Sequence, residues 1–123
     1  MLDHIGFDVS IMKRSRAFYD AALAPLGITP IMEFRGWVGY GRNGKPEFWI
    51  GKNGKPRMQG VLHIAFSAGT RTEVNRFYEA ALASGGKDNG GPGLRPHYHA
   101  DYYAAFVLDP DGHNIEAVCH LPE

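Results

Sequence analysis

The chain holds one cysteine, Cys119, so no disulfide can form within it and the fold must rest on its core. A lone thiol also points to a reducing compartment. No stretch comes near the ~20 apolar residues that a membrane-crossing helix needs. Neither charge is in surplus, with 13 Lys and Arg set against 13 Asp and Glu. Binding to nucleic acid needs a basic patch to neutralise phosphates, so no such partner is expected, and no membrane either. The opening MLDHIGFDVS lacks a basic segment followed by an apolar run. No secretory leader is therefore expected, and the cytoplasm is the expected location.

What is there suits one globular domain spanning 1–123. At 123 residues, 44% of them hydrophobic and 21% charged, the chain can bury a core of its own. Its 16 glycines and 8 prolines gather in GRNGKP (41–46), GKNGKP (51–56) and GGKDNGGPG (85–93). Such punctuation predicts short strands joined by turns, and the Lys and Arg residues over 42–57 read as a solvated turn region.

The strongest pattern is internal. His4, Ile5 and Phe7 recur as His63, Ile64 and Phe66, each 59 residues on (63 − 4 = 59). FYDAALA (18–24) recurs as FYEAALA (77–83) at the same offset (77 − 18 = 59), with only Asp20 replaced by Glu79. A shared offset in two separate segments marks a duplication. Module one covers about 1–55 and module two about 60–121.

Each module begins with alternation. Ile5, Phe7 and Val9 oppose His4, Gly6 and Asp8, and Ile64 and Phe66 oppose His63, Ala65 and Ser67, which predicts strands with one buried face over 2–9 and 61–67. Helices follow over about 14–25 and 71–84, capped by Ser10 or Ser15 and by Thr70 or Thr72. Strands then come at about 28–34, 36–41 and 46–51, and at 101–108 and 113–120, with a weakly marked one near 86–90. The predicted fold is α+β, two βαβββ modules whose mixed sheets form a cupped, barrel-like whole. Matching the turn glycines Gly44 and Gly112 gives an offset of 68, so module two carries about nine extra residues (68 − 59 = 9) in or near GGKDNGGPGLRPHYH.

YYAAFVLDPDGHNIEAV (102–118), taken with a His on the first strand of each half and the paired FY helices, resembles the glyoxalase/bleomycin-resistance/dioxygenase (vicinal oxygen chelate) superfamily. DPDG would be the turn of the last hairpin, its Pro setting φ and its Gly allowing φ > 0. The resemblance implies a divalent metal (Zn, Fe, Mn, Ni or Co) held by His4, His63 and Glu116. The ion would act as a Lewis acid toward vicinal oxygens of a small substrate. It also implies a homodimer, with His4 of one chain facing His63 and Glu116 of the other. The Gly44/Gly112 match puts Phe48 where glyoxalase I-type enzymes carry a fourth ligand (116 − 68 = 48), with Glu47 one residue away on the opposite face.

The other chemical candidates cluster in LRPHYHADYY (94–103). Arg95 suits a carboxylate or phosphonate, and His97 or His99 suits acid/base work. If a strand begins this early, alternation sets His97, His99 and Tyr103 on one face, the candidate catalytic groups, with Tyr102 off it. A rim loop packed by its own aromatic rings is the equal alternative. Trp37 and Phe48 are candidate cup-lining, substrate-binding residues. The expected function is a metal-dependent lyase or dioxygenase acting on a small oxygenated metabolite. The alternatives are a fosfomycin-type thiol transferase and a bleomycin-resistance-type protein that binds an antibiotic without turnover.

Overall fold

Alternating and periodic segments settle into two sheets and two helices in a computed structural model, which describes residues 1–52 and 60–123. Module one runs β1 (Ile5–Asp8), α1 (Met12–Leu23), a short 3-10 turn (Ala24–Leu26), β2 (Thr29–Phe34), β3 (Trp37–Arg42) and β4 (Lys45–Gly51). Module two runs β5 (His63–Ser67), α2 (Arg71–Ala83), the two-residue strands β6 (Lys87–Asp88) and β7 (Gly93–Leu94), β8 (Tyr103–Leu108) and β9 (Asn114–Cys119). The weak strand expected near 86–90 is β6, and a second short piece, β7, lies beyond that span; both pair with β8. Part of the GKNGKP turn and of the basic stretch over 42–57 lies outside the described residues. No helix among the described residues is long and apolar enough to cross a membrane.

The sheets share one plan. In the first the order is β1-β4-β3-β2, and in the second β5-β9-β8-β6. In both, the opening strand lies parallel to the closing one and forms an edge. Alternation then sorts side chains to two faces. Phe7, Val9, Val38, Tyr40, Phe48 and Ile50 on one sheet join Val107, Ile115, Ala117 and Cys119 on the other in a single buried cluster. Phe18, Tyr19, Ala22 and Leu23 of α1 and Val74, Phe77 and Ala81 of α2 complete it, the two helices packing on each other. Both remaining sheet faces look away from this shared core.

The DPDG turn does more than reverse the chain. Asp109, 4% exposed, accepts from the Tyr19 hydroxyl at 2.5 Å across the module boundary, and its other oxygen accepts from the amides of Asp111 and His113. Asp111 reaches the start of α1, accepting from the Ser10 amide at 3.0 Å and from Arg14 at 3.1 Å. This corrects the expected cap. Helix α1 begins two residues earlier than its pattern suggests, with Ile11 at the cap position and Ser15 buried inside it. A carboxylate from the other module meets its N-terminal dipole instead. Helix α2 keeps its own cap, Thr70 accepting from the Glu73 amide.

Because Tyr19 is fully buried, its hydroxyl has no water to replace Asp109. Tyr19→Phe should therefore cost about 1.5–3 kcal/mol, the range for a buried bond to a charged group. Urea unfolding is the measurement; a loss below ~0.5 kcal/mol, the level of an ordinary surface change, would contradict this locking role.

Candidate functional site

Glu116 is the one acidic side chain in the middle of β9, and it lies on the face away from the helices. Parallel pairing sets it beside Ala65 of β5, and antiparallel pairing beside Phe106 of β8. It is 1% exposed, so its carboxylate depends on the partners it finds. Its Oε1 lies 3.1 Å from His63 Nε2, and its Oε2 accepts from the Tyr102 hydroxyl. Burial, and then the bond to Glu116, push the Tyr102 phenol up to about 12.

His63 stands at the first residue of β5, its ring stacked with Phe106 at 6.3 Å. Its Nδ1 lies 3.1 Å from the Asn114 carbonyl, which can only accept. The ring proton therefore sits on Nδ1, and a neutral ring turns the lone pair of Nε2 toward Glu116. Two electron pairs face each other across 3.1 Å unless a proton, carried by the ring or by the carboxyl, or a metal ion lies between them. Two ligand atoms each ~2.1 Å from an ion and at right angles lie about 3 Å apart, so the spacing fits both.

His4, just before β1, is arranged alike. Its Nδ1 bonds the Asp3 carboxylate at 2.7 Å, which leaves Nε2 as the free ligand atom. That bond, and then Lys45 at 3.0 Å, hold the Asp3 carboxyl below the usual range. His4 does not reach Glu116 within the chain. Among the described residues no three His, Cys, Asp or Glu side chains gather as a metal site. His4 and His63 do border one cleft of about 440 Å³ between the edge strands, floored by Ile5, Phe48, Ile64 and Phe66.

Register corrects the position assigned to a fourth ligand. Gly6 pairs with Trp49, while Ala65 (6 + 59) pairs with Glu116, so Glu116 corresponds to Trp49 (116 − 67) and not to Phe48. The cause is a bulge: Gly41 pairs with Pro46 and Tyr40 with Phe48, leaving Glu47 as an extra residue that the turn alignment miscounted. Phe48 belongs to the core, its ring 5.0 Å from Tyr19 and 5.1 Å from Phe66, and touches only the cleft floor. Glu47 is exposed, 4.0 Å from Lys45. Trp37 and Trp49 lie together on the outer face of the first sheet. A Cβ at Gly51 would come within 2.2 Å of the Trp37 ring, and one at Gly39 within 2.8 Å of Trp49. These glycines let the indoles lie on the sheet.

The loop before β8 also departs from expectation. Residues 96–102 form turns rather than a strand, with Tyr102 bonding back to His99 and Arg95 to Tyr102. The alternation assumed for His97, His99 and Tyr103 therefore does not apply. Tyr103 turns to α2 and donates to Asn75 at 2.7 Å, while Tyr102 is the tyrosine at Glu116. Arg95 braces the loop, its terminal nitrogens bonded to the Gly93 and Gly91 carbonyls and its guanidinium over Phe106. His97 packs tilted against Tyr98 at 4.2 Å, and His99 accepts from the Asp101 amide and lies 6.0 Å from His120. His113, beside the DPDG turn, is buried, accepting from the Leu62 amide and edge-on to Phe7. Tyr102 could have been found only by giving up the strand assumption; the GGPG and RP segments just before it were the signal.

This doubled fold, with two strand-opening histidines and a carboxylate on the last strand, matches known proteins. The family model for the Glyoxalase/Bleomycin resistance protein/Dioxygenase superfamily matches residues 1–117. The chain belongs to that superfamily. Among solved structures, a glyoxalase/bleomycin resistance protein from Albidiferax ferrireducens T118 is 31% identical, with a TM-score of 0.84 over 98% of this chain and 99% of that one. A glyoxalase-related enzyme from Fulvimarina pelagi is 22% identical, with a TM-score of 0.73 over 97% and 87%. A glyoxalase I variant from Zea mays is 20% identical, with a TM-score of 0.70 over 95% of this chain and 45% of that one. The last two share the fold.

The Tyr102 phenol, raised to about 12, should titrate well above the ordinary value of 10.0. A group raised on folding binds its proton more tightly in the native state, so its contribution is full below pH ~10 and fades between about 10 and 12. Phenolate absorbance of the wild type minus Tyr102→Phe reads it; titration near 10 would contradict the contact with Glu116.

Proposed function

We propose that this protein is a metal-dependent enzyme acting on a small oxygenated metabolite, a lyase or dioxygenase by reaction class. One observation carries the reading: His63 Nε2 and Glu116 Oε1 face each other at ligand spacing, with the other ring nitrogen already bonded to a backbone carbonyl. His63 and Glu116 of one chain would hold a divalent ion together with His4 of a second copy. Both outer faces look away from the core, so a single chain cannot set the first sheet against the second. A homodimer can. The bound ion supplies Lewis acidity toward two neighbouring oxygens of the substrate. The chain's own part is to orient both imidazoles through Asp3 and Asn114 and to hold Glu116 buried beside His63. The indole of Trp49, at the position equivalent to Glu116, leaves three protein ligands rather than four, which disfavours the four-ligand arrangement.

The two indoles favour one second reading, capture of a flat small molecule without turnover. Binding by metal-free protein that quenches Trp37 and Trp49 fluorescence, with no product formed when metal is added, would support it over catalysis.

The metal reading is tested by mixing variants. His4→Ala and His63→Ala homodimers should each lose about one bound ion per chain. Mixed dimers, unfolded and refolded together, should regain one site in two, because one interface then holds intact His4 from one chain and intact His63 and Glu116 from the other. Metal analysis of the purified mixed species is the measurement. Full occupancy in either homodimer, or no recovery on mixing, would contradict a shared site.

A further inference from the structure

We infer that Tyr102 is a positioning residue that makes Glu116 a one-armed ligand, an inference that rests on the metal reading above. The carboxylate has two oxygens, and Tyr102 and His63 divide them: the phenol donates to Oε2, while Oε1 faces His63 Nε2 at 3.1 Å. An ion next to His63 therefore meets Oε1 alone. With one nitrogen from each histidine and one oxygen from Glu116, a six-coordinate ion keeps three open places. Two can take a pair of substrate oxygens. Were Glu116 to bind through both oxygens, two open places would remain rather than three, with none beyond the substrate pair.

The phenol is placed for this by its loop, not by a strand. Its amide bonds the His99 carbonyl and its carbonyl accepts from the Arg95 amide. Its ring is perpendicular to His120 at 5.1 Å and meets Tyr98 edge-on, inclined at 65°, at 5.1 Å. Arg95, fixed to Gly91 and Gly93, anchors the base of the same loop. The insertion that separates module two from module one thus delivers a single hydroxyl to the metal side of β9. Module one has neither the loop nor a carboxylate at the matching place, where Trp49 stands.

The test is Co(II) titration of metal-free wild type, Tyr102→Phe and Tyr78→Phe, followed by calorimetry and by the visible absorption of bound Co(II). Tyr78 donates to Asp88, away from the site, and controls for loss of a phenol. Tyr102→Phe should bind Co(II) about 10–100-fold more weakly, as for loss of an outer-sphere partner, and its band should change in position and intensity. Tyr78→Phe should match wild type. Phenylalanine keeps the ring contacts, so without metal Tyr102→Phe should melt lower only by the lost bond, about 5–15 °C. Equal affinity and an equal band in Tyr102→Phe, with wild type binding Co(II), would overturn this inference alone. A wild type that binds no Co(II) would overturn the metal reading and this with it. A Tyr102→Phe protein that melts far lower without metal would make the bond structural and would also overturn it.

Discussion

His63 gives its Nδ1 proton to the carbonyl of Asn114, and the charge arrangement of the site follows from that bond. With the proton committed there, Nε2 can only present an electron pair to Glu116 or hold a second proton. Asn114 is itself held at the mouth of the hairpin, its amide bonded to the Leu62 carbonyl, while the Leu62 amide bonds His113. The ends of β5 and β9 are thus clamped together one residue from the imidazole. The same turn holds Tyr19 through Asp109 and the start of α1 through Asp111. Site geometry and module packing therefore share one short segment, DPDGH. A buried carboxylate is costly unless its partners are fixed, and this segment fixes one of them.

Duplication made two similar halves, and their differences are where the chemistry lies. Module two keeps a carboxylate in the middle of its last strand and gains a turn-rich loop. Module one has an indole at the matching place and a bulge at Glu47. One outer face is consequently polar and convergent, with His63 and Tyr102 each in contact with Glu116. The other is flat and aromatic, with two indoles over glycines. His4, oriented by Asp3 at the edge of the aromatic face, is the one ligand candidate that module contributes.

Most of the fold was legible because the signals were redundant. The 59-residue offset, the alternation of each opening strand and the FY helices each implied the same doubled unit. His63 stood out by parity, opposite the apolar residues of its strand, whereas Glu116 was named only through the family resemblance. What escaped was irregular backbone. One extra residue at Glu47 shifts the turn alignment without changing composition, and so Phe48 was assigned to the place that Trp49 holds. Turns over 96–102 cancel any parity argument, and so Tyr103 was chosen where Tyr102 stands. The Asp111 cap was illegible for another reason: it spans two modules, and local capping rules see only neighbours in sequence.

The central claim is that a metal ion, rather than a proton, belongs between His63 and Glu116. Anomalous scattering from crystals grown with Co(II) locates the ion directly. The account predicts one peak about 2.1 Å from both His63 Nε2 and Glu116 Oε1, with His4 of a second copy closing the set. Crystals saturated with Co(II) that show no peak there, and the two side chains still 3.1 Å apart, would contradict it.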